Sequence, residues 1–131
     1  MVSGNISDLG ISMHDKNQKV FDVVFFETAN GRQPVREFIL EQTREDQKEI
    51  GSDIRNVQDN FPVGLPLVRK LKSELWEIRS IIKDSISRVF FTFYKEKIIL
   101  LHAIVKKSQK TPPKDIDVAT ERLKEFKRMQ K

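Results

Sequence analysis

Five cationic side chains in the second half of the chain are of a type that could carry chemistry. Lys106, Lys107 and Lys110 follow directly on an apolar run, and Arg79 and Arg88 lie within two earlier apolar segments. Ammonium and guanidinium groups bind phosphate, and guanidinium offers forked donors that match two phosphate oxygens. A loop that only needs solvation would also carry lysines. The lysine cluster therefore has two interpretations, a solvated loop or a site for a polyanion.

The two arginines are predicted to lie on neighbouring strands. The apolar segments 74–82 and 86–94 are separated by three residues, and so short a connection requires an antiparallel hairpin. Side chains alternate along a strand, which places Arg88 on the more open of the two faces and allows Arg79 to approach it. Together they would form a phosphate clamp. The alternative is an ordinary ion pair of Arg79 with Glu77 or Glu74.

Other kinds of catalytic site find no support. The chain has no cysteine, which excludes thiol nucleophiles, disulfides and zinc sites with cysteine ligands. Its two histidines, His14 and His102, do not have metal-ligand spacing, so we expect neither a metal nor another cofactor. An enzyme of this composition would work with lysine, arginine, tyrosine or His102. That repertoire suits RNA cleavage, in which the 2′-hydroxyl of the substrate attacks its own phosphodiester.

Charge is divided unevenly between the halves of the 131-residue chain. Residues 1–65 hold seven lysines and arginines against eleven acids, and residues 66–131 hold seventeen against eight. A half with a net charge of +9 is typical of a surface that faces nucleic acid, although scattered solvated lysines would give the same total. No apolar run approaches the roughly 18 residues that cross a membrane. We therefore expect a cytoplasmic protein without a membrane partner.

The elements that would position these residues form one α+β domain. β-branched and aromatic residues predict a strand at 20–27, and apolar residues at helical spacing predict two helices between residues 34 and 61. Three further strands are predicted at 74–82, 86–94 and 97–105, followed by a C-terminal helix. The order β-α-α-β-β-β-α gives a small, curved, mainly antiparallel sheet with helices packed on one face. Residues 1–19 are expected to be a disordered tail and residues 20–131 a single domain.

Several segments together resemble the HigB-type branch of the RelE toxin superfamily, whose members are often phage-derived. The segments are GRQPVREF at 31–38, KLK at 70–72, LWEIR at 75–79, RVFF at 88–91 and ILLHAIVKKSQKTP at 99–112. The resemblance implies a RelE-like fold and a ribosome-dependent mRNA endonuclease that inhibits translation, the toxin of a type II toxin–antitoxin pair. Such a toxin enters the ribosomal A site, beside ribosomal RNA. A HigA-like helix-turn-helix antitoxin neutralises it.

The same motifs imply the roles of individual residues. Arg79 and Arg88 are expected to stabilise the phosphate and the transition state, and Lys106 or Lys107 to transfer a proton or stabilise charge. The residues expected to bind RNA are Lys70, Lys72, Lys110, Tyr94 and His102. Tyr94 and His102 are equally consistent with structural roles. The alternative to an enzyme is a degenerate, non-catalytic module that binds the antitoxin or RNA.

Overall fold

The computed structural model describes residues 21–130 of the chain, so the tail predicted at 1–19 lies outside the described residues. The elements are β1 Asp22–Phe25, α1 Pro34–Leu40, α2 Arg44–Asn60, β2 Val68–Lys72, β3 Leu75–Ile82, β4 Ser85–Tyr94, β5 Lys97–Lys106 and α3 Pro113–Met129. None of the helices in residues 21–130 is long and apolar enough to span a membrane.

The five strands form one sheet in the order β1-β5-β4-β3-β2. β1 runs parallel to β5, and every other neighbouring pair is antiparallel. Lys95 and Glu96 join β4 to β5 with φ values of 48° and 62°, because a two-residue turn of this hand matches the twist of the strands. The predicted α+β class with a mainly antiparallel sheet is confirmed.

β2 is a strand that the sequence pattern did not predict, so four strands follow the helices rather than three. It lies at the edge of the sheet and pairs with β3. Three of its five residues are exposed cations and only Val68 is buried, so the alternation that identifies a strand is nearly absent. Charges on an edge strand are common, because they prevent pairing with other chains. Glu74, predicted as strand, has φ 62° and lies in the turn before β3.

The two N-terminal helices cover one face of the sheet. Thr43 caps α2, since its hydroxyl accepts a hydrogen bond from the Asp46 backbone N–H at 3.1 Å, as the spacing of these residues predicts. The apolar stripe predicted on α2 is formed by Ile50, Ile54, Val57 and Phe61. The first three are completely buried in the core on this face, and Phe61, the C-cap residue, is partly buried against it. This packing fixes α2 against β3.

The C-terminal helix covers the opposite face, although the sequence analysis placed the helices on one face only. Ala119, Leu123 and Phe126 of α3 form a second core cluster with Phe90 and Leu101. A strand that is apolar on both faces requires cover on both, and β4 is such a strand. The β4 face expected to be more open is therefore closed. Its buried residues are Ile86, Arg88, Phe90 and Thr92.

Candidate functional site

Arg79 and Arg88 lie directly opposite each other in the β3–β4 hairpin. Glu77 precedes Arg79 by two residues and so lies on the same face of the sheet. The side chains of Glu77 and Arg88 are both 0% exposed, and Arg88 Nη1 lies 3.6 Å from Glu77 Oε2. Arg69 of β2 is the strand partner of Glu77 on its other side. Three arginines therefore lie on the face of the sheet that carries this buried carboxylate.

The segment between β5 and α3, residues 107–112, folds back over this face and is called the lysine loop below. Arg88 Nη1 donates to the Gln109 carbonyl at 3.1 Å and to the Thr111 hydroxyl at 3.0 Å, and its Nη2 donates to the Ser108 carbonyl. The Thr111 hydroxyl in turn donates to Glu77 Oε1 at 2.8 Å. One buried arginine thus holds both the sheet carboxylate and the lysine loop.

Arg88 is enclosed rather than displayed on an open face. The open face was predicted from the residues of β4 alone. In the structure the lysine loop covers the guanidinium and supplies three acceptors to it. Burial lowers the pKa of Arg88 below its ordinary value, and the nearby Glu77 carboxylate acts in the opposite direction. Contact of Arg88 with a substrate phosphate stays a prediction, while its contacts within the fold are those of an anchor for the lysine loop.

Arg79 is the arginine of the pair that reaches the surface. Its side chain is 15% exposed, and its Nη2 donates to Gln109 Oε1 at 2.5 Å. The contact expected as an alternative is also present, since Arg79 Nε lies 4.0 Å from Glu77 Oε2. That separation is long for an ion pair, and the buried Nε has no hydrogen-bond partner in the part of the chain that the structure describes.

The lysines predicted to act on RNA fall into two groups. Lys106, Lys107 and Lys110 are exposed at the end of β5 and on the lysine loop, above the buried Arg88. Lys70 and Lys72 lie on β2 at the edge of the sheet. Lys70 Nζ lies over the Trp76 ring at 5.6 Å, and Lys72 Nζ donates to the Thr120 hydroxyl of α3 at 3.3 Å. The first group lies on the face of the sheet that carries Arg79. In the second group only Lys72 lies on that face, because Lys70 pairs with Trp76, whose ring packs against the core on the opposite face.

His102 takes part in the packing of α3. Its Nε2 lies 2.9 Å from Asp115 Oδ1, its Nδ1 lies 3.2 Å from Arg122 Nη1, and its ring stacks on Phe90 at 5.4 Å. Arginine can only donate, so Nδ1 accepts and Nε2 donates its proton to Asp115, which makes the ring the neutral tautomer. Burial lowers the pKa of His102, and the hydrogen bond to Asp115 opposes this.

Tyr94 also contacts α3. Its ring meets the Phe126 ring edge-on, with centroids 5.4 Å apart, and belongs to the core on that face. Tyr94 and His102 therefore both have structural contacts, and an RNA-binding role for either stays a prediction. Across residues 21–130 no three histidine or acidic side chains form a group that could hold a metal ion.

Thr111 and Gln109 were not predicted as members of the site, and Glu77 was predicted only as an ion-pair partner of Arg79. Their contacts depend on the return of the lysine loop across two strands, a distance of 34 residues in the chain between Thr111 and Glu77. The available signal for Glu77 was its place in the motif LWEIR. It lies two residues before Arg79, on the same face of a hairpin whose other strand carries Arg88. The assembled site presents exposed ammonium groups, the exposed guanidinium of Arg69 and the partly exposed guanidinium of Arg79. Such donors can hold a phosphodiester and stabilise added negative charge on it.

Comparison with known proteins gives one family. Residues 37–124 match the model of the family described as Phage derived protein Gp49-like (DUF891). The matched stretch runs from α1 into α3 and contains all nine of the predicted site residues. A search of curated proteins gives no match.

Proposed function

Because the chain belongs to the Gp49-like phage-derived proteins, part of the RelE/HigB-like toxin family, we propose that it is the toxin of a type II toxin–antitoxin pair. Its activity would be ribosome-dependent cleavage of mRNA in the A site, as in the HigB-type branch, with inhibition of translation as the result. Its partners would be mRNA and ribosomal RNA, and a HigA-like helix-turn-helix antitoxin. Its place of action would be the cytoplasm.

One observation carries the proposal. Three exposed lysines stand on or beside a loop that a fully buried arginine anchors, next to a partly exposed arginine. A phosphodiester cleaved by its own 2′-hydroxyl needs a base, an acid and stabilisation of the anionic intermediate, and preorganised cations supply the last. An anchored loop keeps its charges in place without the cost of ordering them during the reaction.

The roles of the residues follow from their exposure. Arg79 would contact the scissile phosphate, and Lys106 or Lys107 would transfer a proton or stabilise charge. Arg88 would act as a positioning residue that holds the lysine loop in place, and its buried positive charge would add to the potential at the site. Lys110, Lys70 and Lys72 would bind the RNA backbone, with Lys72 reaching it beside α3.

Induced expression tests the proposal. Growth should stop and mRNA should be cut within translated frames, and a Lys106→Ala, Lys107→Ala variant should lose both effects. Lys124→Ala is the matched control, because Lys124 is exposed and its ion pair is a surface one, with Glu121 at 3.7 Å. Expression of the adjacent helix-turn-helix protein, where one is encoded, should restore growth. Normal growth with intact mRNA in the wild type would contradict the proposal.

A specific observation also favours the alternative of a non-catalytic binding module. Arg88 is not exposed and Arg79 is largely covered, so the accessible cations of the candidate site are its lysines and Arg69. A surface of this kind binds nucleic acid through phosphate contacts alone, with a strong dependence on salt. Salt-sensitive binding to translating ribosomes without any cut in the mRNA would support this alternative and exclude the enzyme.

A further inference from the structure

A pocket of about 390 Å³ opens beside Arg79, between α2 and the lysine loop. It forms because β2 begins at Val68, opposite Ile78, and does not run beside the last residues of β3. Arg79 and Gln109, which are bonded to each other, form the wall that the pocket shares with the candidate site. A ligand in this pocket would therefore lie next to any phosphate that Arg79 and the lysine loop bind.

The apolar part of the pocket suits a flat ligand. Pro66, Leu67 and Ile81 line it. Ile81 is 72% exposed, more than any other large hydrophobic side chain in residues 21–130. A concave pocket lined by apolar side chains and a few polar groups is typical of a ligand-binding site. The volume of the pocket is sufficient for a nucleobase, whose two faces are apolar and whose edge is polar.

The polar part of the pocket offers both acceptors and donors. Glu49 and Asp53 of α2 contribute carboxylates, and burial raises the pKa of Asp53. Gln109 accepts from Arg79 through Oε1, which leaves the two N–H groups of its amide for a ligand. A lysine or arginine from a protein partner would satisfy only the carboxylates and would meet the charge of Arg79. An amino group next to a ring acceptor satisfies both kinds of group.

We infer that this pocket binds an amino-bearing base of the RNA whose phosphate lies on the lysine loop. Guanine, adenine and cytosine each carry an exocyclic amino group and an acceptor beside it. Uracil has a single ring N–H between two carbonyl oxygens, so it can donate to only one of Glu49 and Asp53, whereas an amino group can donate to both. The weaker binding of uracil would give the protein a base preference at the cut. The inference rests on the proposed function and adds the chemistry that selects the site of cleavage.

Binding can be measured without any cleavage. Uniform 2′-O-methyl tetranucleotides of the four bases are titrated into the ¹⁵N-labelled protein, and backbone amide shifts are followed by NMR. The amino-bearing oligonucleotides should move the amides of Asp53, Ile81 and Gln109 and bind about tenfold more tightly than oligo-U, as one good edge contact provides. Inorganic phosphate should move only the lysine loop.

Asp53→Asn replaces one acceptor oxygen by a donor amide and should abolish the tenfold preference while oligo-U binding is unchanged. Glu45→Gln, on an exposed position of the same helix, is the matched control and should keep the preference. Equal binding of all four oligonucleotides, shifts identical to those from phosphate, or no binding at all would each overturn the inference.

The cellular readout separates this inference from the proposed function. If the wild type cuts mRNA, sequencing of the new 5′ ends should show depletion of uracil at one position beside the cut, and Asp53→Asn should remove that depletion. If the wild type cuts nothing, the proposed function fails, and the NMR titration still decides whether the pocket selects a base.

Discussion

Arg88 and Glu77 form an ion pair of 3.6 Å between Nη1 and Oε2 in which both side chains are fully buried. Such a pair is compensated only when its other polar atoms also find partners. The lysine loop supplies most of them, through two carbonyls and the Thr111 hydroxyl. The interior charge pair and the exposed loop are therefore one structural unit.

Glu77→Ala should strongly destabilise the protein. The change leaves the Arg88 charge buried without its carboxylate, which costs about 3–5 kcal/mol when one member of a buried pair is removed. Urea denaturation followed by circular dichroism measures the free energy of unfolding. Glu121→Ala removes an exposed ion pair with Lys124 and should change that free energy by less than about 1 kcal/mol. Equal losses of unfolding free energy in the two variants would show that the buried pair stabilises the fold no more than the exposed one.

Thr111→Val should loosen the lysine loop. The valine keeps the shape of the side chain but removes both the donor to Glu77 and the acceptor for Arg88, at a cost of about 1–3 kcal/mol. Hydrogen exchange of the amides of residues 107–111 should become faster relative to the amides of β4. Thr111→Ser keeps the hydroxyl and should preserve protection. Unchanged exchange in the valine variant would mean that backbone contacts alone hold the loop.

Lys107→Ala combined with Lys110→Ala should weaken RNA binding without affecting the fold. Both side chains are exposed, so stability should stay within about 0.5 kcal/mol of the wild type. Each lost phosphate contact lowers the slope of log affinity against log salt by about 0.7 for single-stranded RNA. Fluorescence anisotropy over a salt series measures this slope. A variant that binds with the wild-type slope would place the RNA elsewhere.

Stability should fall when the pH drops below about 6.5, the ordinary pKa of histidine. Burial lowers the pKa of His102 in the folded state, so the unfolded chain binds more protons in this range and acid favours unfolding. The contribution is fully present above pH 6.5 and is lost as the pH falls through the lowered folded pKa. Urea midpoints between pH 7.5 and 5 should show this fall, and His102→Gln should flatten it. An equal slope in both proteins would contradict the assignment.

Local patterns were sufficient to predict most of the fold. The stripe of Ile50, Ile54 and Val57 identified α2, and the short connection between two apolar segments placed Arg79 and Arg88 on adjacent strands. The helical period of α3 identified its apolar face, but no period within a helix tells which face of a sheet it will cover. β2 was missed because tertiary pairing, rather than its own residues, makes it a strand.

The candidate site was predictable only in part, for a related reason. The charge of a lysine is by itself enough to predict exposure to solvent, so Lys107 and Lys110 lie where expected. The burial of Arg88 depends on a loop about twenty residues further along the chain, and hydrophobic patterns do not encode the return path of a polar loop.

The parallel pairing of β1 with β5 has a consequence for synthesis. It joins Asp22 to Lys97, so the first strand has no sheet to enter until most of the chain has left the ribosome. β5 lies next to β1, and the lysine loop follows β5 directly. Chains that fold from the N-terminus as they emerge must therefore assemble this sheet late. A chain that ends before β5 therefore lacks the anchored lysine loop altogether.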